Sequence, residues 1–456
     1  MIINCTANRL IHAALFAALV ITHVCWPHTA RADTRLFQLD CDTCVSYGHD
    51  SVGLRDLNSD NIIEFAISDP DYDDGTGAVF IYSGATGTLL YTIAGEDEED
   101  RFGSSLAFTD LNNDGARDLL VGATGYTTPN CQGGSLPPGH QYVGYAKGFT
   151  LSQSAATQLF KITGSANDLF GISVAGLGDI NSDDVTDFVI GKANNSNGVC
   201  DAQNALQGVL AFYAGASSGS TRSLIRNTYI GVGHGLVGLA TGGDVDGDGI
   251  DDALGRAASR VVVFSGDNGD VIGLVTRQSQ DFDLFGAQII SDMNSDGFDD
   301  VGVCESVSSS QQSVQDAATN TLSLFSGDDD GNGSITLHAS IVRKGYGFCR
   351  SIANLGDYNA DGVHDVLVGS PSNHTVTGRY EIYSDSLDKL TSGVIAGESA
   401  MGHLAFGLNA DINSDGRNDI VLAGKPGTIR KRVFVLSPGV AKTPGYRVSD
   451  GLVSPF

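Results

Sequence analysis

Seven short stretches of this chain repeat one spacing of oxygen-bearing side chains. The cleanest is Asp411-Ile412-Asn413-Ser414-Asp415-Gly416-Arg417-Asn418-Asp419, with oxygen donors at the first, third, fifth and ninth places. The others place Asp56, Asn58, Asp60 and Glu64; Asp110, Asn112, Asp114 and Asp118; Asp179, Asn181, Asp183 and Asp187 at those positions. Further along come Asp244, Asp246, Asp248 and Asp252; Asp292, Asn294, Asp296 and Asp300; and Asp357, Asn359, Asp361 and Asp365. Alternate oxygens on a backbone that curls converge on one point, which suits a hard cation such as Ca²⁺ with its six to eight oxygen ligands. The seventh place of such a loop contributes a backbone carbonyl, so its side chain is free to vary: Ile62, Ala116, Val185, Ile250, Phe298, Val363 and Arg417. The sixth place is Gly in five loops and Asn61 or Asp184 in the other two. These are the residue types that tolerate the left-handed backbone a sharp curl requires. A helix-flanked calcium loop of twelve residues ending in Glu does not match this pattern.

The formal net charge is −28, and 22 of the 54 acidic residues stand at the ligand positions of the loops, three in each of six and four in the Asp244 loop. Such a balance argues against nucleic-acid or anionic-membrane partners, and seven structural Ca²⁺ ions would neutralise about half of it. Residues 1–32 read as a signal peptide: Arg9, an apolar Leu10 to Val24, and Ala30-Arg31-Ala32 as a small-x-small cleavage site. The apolar stretch is short for a membrane span. The expected mature protein is therefore exported (periplasmic, cell-surface or extracellular), soluble and monomeric. Its six cysteines, Cys41, Cys44, Cys131, Cys200, Cys304 and Cys349, favour disulfides. Cys41-Asp42-Thr43-Cys44 also admits a redox pair or half a zinc site, without a second CxxC or a βαβ pattern to support either.

Positioning seven such loops takes a repeat. Steps between successive loops are 54, 69, 65, 48, 65 and 54 residues, the scale of a propeller, a solenoid or an array. Each unit has an aromatic-Gly pair or relative before the loop, as in Tyr47-Gly48, Phe102-Gly103 and Phe170-Gly171, with Val232-Gly233 and Met401-Gly402 as departures. Three short β-branched and aromatic runs complete the unit. The third, as in Arg260-Val261-Val262-Val263-Phe264-Ser265-Gly266, is apolar on both faces, as for a sheet buried between neighbours. The fold class is all-β: a seven-bladed β-propeller of four-stranded antiparallel blades. Blade seven lacks a fourth run, and residues 35–40 match one, so the N-terminal strand is expected to close the ring. Tyr446-Arg447-Val448 is the rival closer. The domain plan is signal peptide 1–32, propeller 33–440 and tail 441–456.

The aromatic-Gly, DxNxDGxxD and Gly-Ala-Pro-like elements together resemble the FG-GAP repeat, as in the N-terminal propeller of integrin α subunits, over essentially the whole mature chain. The resemblance implies calcium in blade loops and recognition or adhesion toward an extracellular protein or glycan. The cation loops join first to second strands, so ligand contact is expected on the opposite face. There the second-to-third loops are expanded at about residues 124–142, 193–207 and 305–320, carrying Tyr126, Asn130 and Tyr142, with Tyr72 in a shorter equivalent. Cys131 with Cys200, and Cys304 with Cys349, are candidate pairs on that face. His49, His234 and His403 could gather at the channel mouth, though ordinary packing explains them better. No G-x-S-x-G, H-E-x-x-H, P-loop or RGD phrase occurs. The alternatives are a propeller-type enzyme, a carbohydrate lyase or phosphodiesterase with its site at the channel mouth, and an architectural envelope protein. No catalytic residue is assigned.

Overall fold

A computed structural model of the protein describes residues 34–125, 143–166, 168–194, 207–231, 236–257, 260–276, 282–307, 319–327, 335–344, 348–349, 351–359, 361–370, 379–394, 406–407, 411–413, 418–423, 431–437, 446–449 and 452–455. The segment read as a signal peptide, the loop residues Tyr126, Asn130 and Tyr142, the cysteines Cys131 and Cys200, and His234 and His403 lie outside the described residues. The chain falls into two units, Arg31–Ala441 and a second made of Met1–Ala30 with Lys442–Phe456. Among the described residues no helix is long and apolar enough to cross a membrane.

The larger unit is a seven-bladed β-propeller, each blade a four-stranded antiparallel sheet in sequential order. Blade two shows the plan: Phe102–Thr109, Asp118–Ala123, Val143–Leu151 and Ala156–Ala166. Its second strand reads Asp-Leu-Leu-Val-Gly-Ala and is buried along its full length. Side chains alternate across a strand, so Leu119 and Val121 face blade one, where they meet Ala66, Val79 and Ile81. Leu120 faces blade three, where it and Phe160 of its own blade meet Phe188 and Ile190. The same division recurs between every pair of neighbouring blades, and seven apolar clusters fill the seven interfaces. Each of these large side chains is worth roughly 1.5–3 kcal/mol of burial. The runs are apolar on both faces because both faces are covered.

The ring closes as the sequence indicated. Thr34–Cys41 pairs antiparallel with Lys431–Ser437 and supplies the fourth strand of blade seven, with Phe37 opposite Val435 and Leu39 opposite Val433. Leu39 is buried in the cluster that joins blades seven and one, beside Phe65, Phe80 and Val433. The Arg35 guanidinium covers the Phe434 ring at 5.4 Å. The rival segment does something else: Tyr446–Ser449 forms a two-stranded hairpin with Leu452–Pro455.

Two disulfides are present among the described residues. Cys304, in the second strand of blade five, joins Cys349, just before the first strand of blade six, across a sequence separation of 45. Cys41 joins Cys44 across a separation of 3, immediately after the closing strand. The CxxC is thus a local cross-link. Blades one and two are also tied through Asp50, whose carboxylate accepts the Leu106 N–H at 2.8 Å and the Ser51 N–H at 2.8 Å. Burial pushes this carboxyl from its ordinary 3.8 up to about 6, against the pull of those two N–H donors.

Two outcomes are expected. Loop-closure entropy assigns about 4 kcal/mol to the long Cys304–Cys349 loop and about 2 kcal/mol to the short Cys41–Cys44 loop. Urea unfolding of the two double-alanine variants should therefore show the first roughly twice as destabilised as the second; equal losses would contradict this. For Asp50, the folded-state value lies above the unfolded one. Its contribution is fully present below about pH 4 and is lost as pH rises through about 6. Asp50→Asn should flatten the stability–pH profile in that window, read by thermal melts from pH 4 to 7.

Candidate metal centres

The seven acidic loops connect first to second strands, all at one end of their blades. Their shape is set by side chains bonding back to the loop's own backbone, which Asp and Asn do well. In blade one, the first-place Asp56 Oδ2 accepts the sixth-place Asn61 N–H at 2.8 Å, and Asp60 Oδ1 accepts the seventh-place Ile62 N–H at 2.8 Å. The same first-to-sixth bond joins Asp110 to Gly115, Asp179 to Asp184, Asp244 to Gly249, Asp292 to Gly297 and Asp357 to Gly362, at 2.7–2.9 Å. The fifth-to-seventh bond joins Asp114 to Ala116, Asp183 to Val185, Asp248 to Ile250, Asp296 to Phe298 and Asp361 to Val363, at 2.8–3.0 Å. The sixth residue is left-handed throughout these six loops, with φ of 65° at Asn61, 64° at Asp184 and 82–99° at the glycines. The fourth place is left-handed as well, at Ser59, Asn113, Ser182, Gly247 and Ser295. Its small residues carried that signal, which the spacing of the ligands alone did not reveal. In blade seven, Asp411, Asn413 and Asp419 are described, while Asp415 and Arg417 lie outside the described residues.

The ninth-place acid differs from the other side-chain donors. Glu64, Asp118, Asp187, Asp252, Asp300, Asp365 and Asp419 are all buried, whereas the described first-, third- and fifth-place residues are exposed or half-exposed. In every blade one of its oxygens accepts the N–H of the loop's second residue: Leu57, Leu111, Ile180, Val245, Met293, Tyr358 and Ile412. The other oxygen in four blades reaches the end of the third strand or the hairpin after it, accepting the Thr150 hydroxyl or the N–H of Gly215, Gly266 or Gly327. Those hairpin partners went unnoticed in the sequence, although a Ser-Gly step ends several third runs. A Cβ on Gly266 would lie 2.1 Å from the Asp251 carbonyl oxygen, and one on Gly84 1.9 Å from that of Ile63, so the approach needs Gly. Burial pushes the carboxyl of Asp252 up to about 8 and those of Asp300 and Asp365 to about 7, and neighbouring loop carboxylates push the same way. A nearby dication would supply the opposing charge.

Two loops already bring carboxylates together. Ligand oxygens of Asp56, Asp60 and Glu64 lie within 4.8 Å of one another, as do those of Asp244, Asp246 and Asp252. The donor set is all oxygen, anionic and partly buried, which fits a hard cation and not a soft one.

Elsewhere, Tyr72 does not serve as the free loop aromatic that its position suggested. Its ring packs edge-on to Phe80 at 5.4 Å and is half-buried against the blade one core, because the turn at Asp71–Gly75 folds it inward. The neighbouring loops instead hold ion pairs: Asp71 with Arg101, and Glu96 with both Lys147 and Lys161. The two lysines lie over the Tyr145 ring. His49 is half-buried and donates its backbone N–H to the Ser68 carbonyl, a packing role.

Replacing a ninth-place acid should unseat its loop even without metal. Asp252→Ala strands the buried N–H groups of Val245 and Gly266, each worth about 1–3 kcal/mol when unsatisfied. Denaturant unfolding in the presence of a chelator should show a loss of at least 2 kcal/mol. An unchanged midpoint would show the bonds to be dispensable.

The chain is similar in part to known proteins. A family model described as FG-GAP repeat matches residues 102–136. Among curated relatives, the chain is 33% identical over 147 residues to integrin alpha-5 of Xenopus laevis, covering 32% of this chain and 14% of that one. It is 32% identical over 195 residues to integrin alpha-7 of Mus musculus, covering 41% and 15%. With integrin alpha-4 of Xenopus laevis it shares 28% identity over 241 residues, covering 50% and 21%. The matches thus span between 14% and 21% of the length of these relatives. Among solved structures, BBS1N in complex with ARL6DN superposes with a TM-score of 0.52 at 11% identity, over 89% of this chain and 96% of that one, a likeness of fold alone. The chain thus carries a segment that matches the FG-GAP repeat, on a β-propeller that is similar in part to integrin α subunits.

Proposed function

We propose that this protein is an exported, calcium-binding β-propeller that acts as a recognition or adhesion module for an extracellular protein or glycan. Calcium is structural in this reading. The observation that carries the metal half is the repetition of one loop, in which Asp and Asn side chains alternate ahead of a buried ninth-place acid that accepts the loop's second N–H in all seven blades. Ca²⁺ is favoured over Mg²⁺ because the loops offer several flexible oxygen donors where Mg²⁺ demands near-ideal octahedral geometry and retained water. The similarity to integrin α subunits supports the recognition half, and the face opposite the cation loops is the surface assigned to it.

The stability arithmetic explains why a secreted fold would carry seven ions. At tenfold excess over Kd, each independent site adds about 1.4 kcal/mol, and seven add about 10 kcal/mol. That matches the whole stability of an ordinary domain. The protein's own residues would hold the ions; no chemistry on a substrate is routed through them.

The test is retention of the purified protein on an array of glycans and matrix proteins, first in millimolar calcium and then in chelator, with circular dichroism confirming the fold. Calcium-dependent capture of a defined ligand and a calcium-dependent rise in melting temperature are expected. A folded protein that melts identically with calcium and with chelator would refute the structural role. One that captures nothing would refute recognition of the ligands tested.

A further inference from the structure

The cation loops of blades four and five are joined in a way that the ligand spacing does not require. The eighth place of the loop is not a ligand position, and across the blades it is Ile63, Arg117, Thr186, Asp251, Asp299, His364 and Asn418. Asp299 spends its carboxylate on two backbone groups. Its Oδ1 accepts the N–H of Asp292, the first residue of its own loop, at 3.0 Å, and its Oδ2 accepts the N–H of Asp244, the first residue of the blade four loop, at 2.9 Å. The Asp299 N–H also donates to the Asp244 carbonyl at 2.9 Å, so the peptide groups on both sides of that first ligand are held by one residue. The loops are in close packing at the same place. A Cβ on Gly247, the fourth residue of the blade four loop, would lie 2.4 Å from the Phe298 ring of the blade five loop. One on Gly327 would lie 2.5 Å from the carbonyl oxygens of both Asp299 and Val245.

We propose that Asp299 is a positioning residue shared by two cation sites, so that the blade four and blade five loops fill as a linked pair. This rests on the calcium reading above. Asp244 and Asp292 each aim a carboxylate whose Oδ2 is already tied to the sixth residue of its own loop. The position of that carboxylate follows the backbone of the first residue, and Asp299 fixes that backbone in both loops at once. A cation that orders Asp292 orders the Asp299 carboxylate, which then presents its second oxygen to the Asp244 N–H in the binding geometry. The Asp299 carboxylate, lying between the loops, also offsets part of the repulsion between two dications. By linkage the effect is reciprocal, and a coupling of about tenfold is the typical size for such a connection.

Native mass spectrometry of the purified protein across a series of free calcium concentrations counts bound ions directly. Asp299→Asn keeps the shape but replaces one acceptor by a donor, which breaks the bridge. It should weaken two ions by about tenfold each and leave the others unchanged. Asp246→Ala, which removes a blade four ligand and leaves Asp299 intact, should lose one ion and weaken a second by about tenfold. In the Asp299→Asn background it should weaken no further ion. This second variant decides the matter if Asp299→Asn does not fold. Loss confined to one ion in Asp246→Ala, or an unchanged series in Asp299→Asn, overturns the linkage while leaving the calcium reading standing. A wild-type protein that retains no calcium overturns the calcium reading, and the linkage with it.

Discussion

A β-sheet that is apolar on both faces has to be covered on both sides, and this requirement governs the whole molecule. No blade can satisfy it alone. Leu119 and Leu120 are adjacent in one strand yet belong to different interfaces, and both are fully buried only because blade two has a neighbour on each side. The first and last blades would otherwise each leave one face bare. Borrowing Thr34–Cys41 as the fourth strand of blade seven joins the two ends of the chain and removes that exposure. The stability of any blade is therefore a property of the ring.

The acidic loops solve a second problem within that ring. Where a first strand turns into a buried second strand, the backbone must curl without a helix or ladder to absorb its N–H groups, and such groups are costly when left unpaired. The loop's own carboxylates take them up. The buried ninth acid goes further, tying the loop to the following hairpin through Gly215, Gly266 or Gly327. The result is a set of concentrated negative charges near a low-dielectric core, with several carboxyl groups pushed toward neutrality by burial. An arrangement of this kind gains most from a bound dication, so the features that shape the loop are also the features that suit it to one.

On the opposite face the chain uses charge differently. Glu96 holds two lysines against the Tyr145 ring, and Arg101 is spent on Asp71. These groups lock blades one and two together at the rim. An aromatic such as Tyr72 is drawn into the packing there even though its sequence neighbours, Asp71, Asp73 and Asp74, are polar.

The sequence by itself determined the number of blades, the strand order, the closing strand and the residues of the seven loops. Those features are periodic or local: a fixed ligand spacing, a sixth residue able to adopt positive φ, and runs apolar on both faces. It did not determine which neighbours those residues meet. That Cys41 pairs with the adjacent Cys44, that the ninth acids reach the third-to-fourth hairpins, and that Asp299 bridges two loops all depend on distances between segments far apart in the chain or on one of several possible pairings. Only the closed ring brings those segments together, because the twist and curvature that juxtapose neighbouring blades come from packing the whole circle. Tyr72 shows the same limit in reverse: a polar local context read as exposed, and the tertiary core decided otherwise.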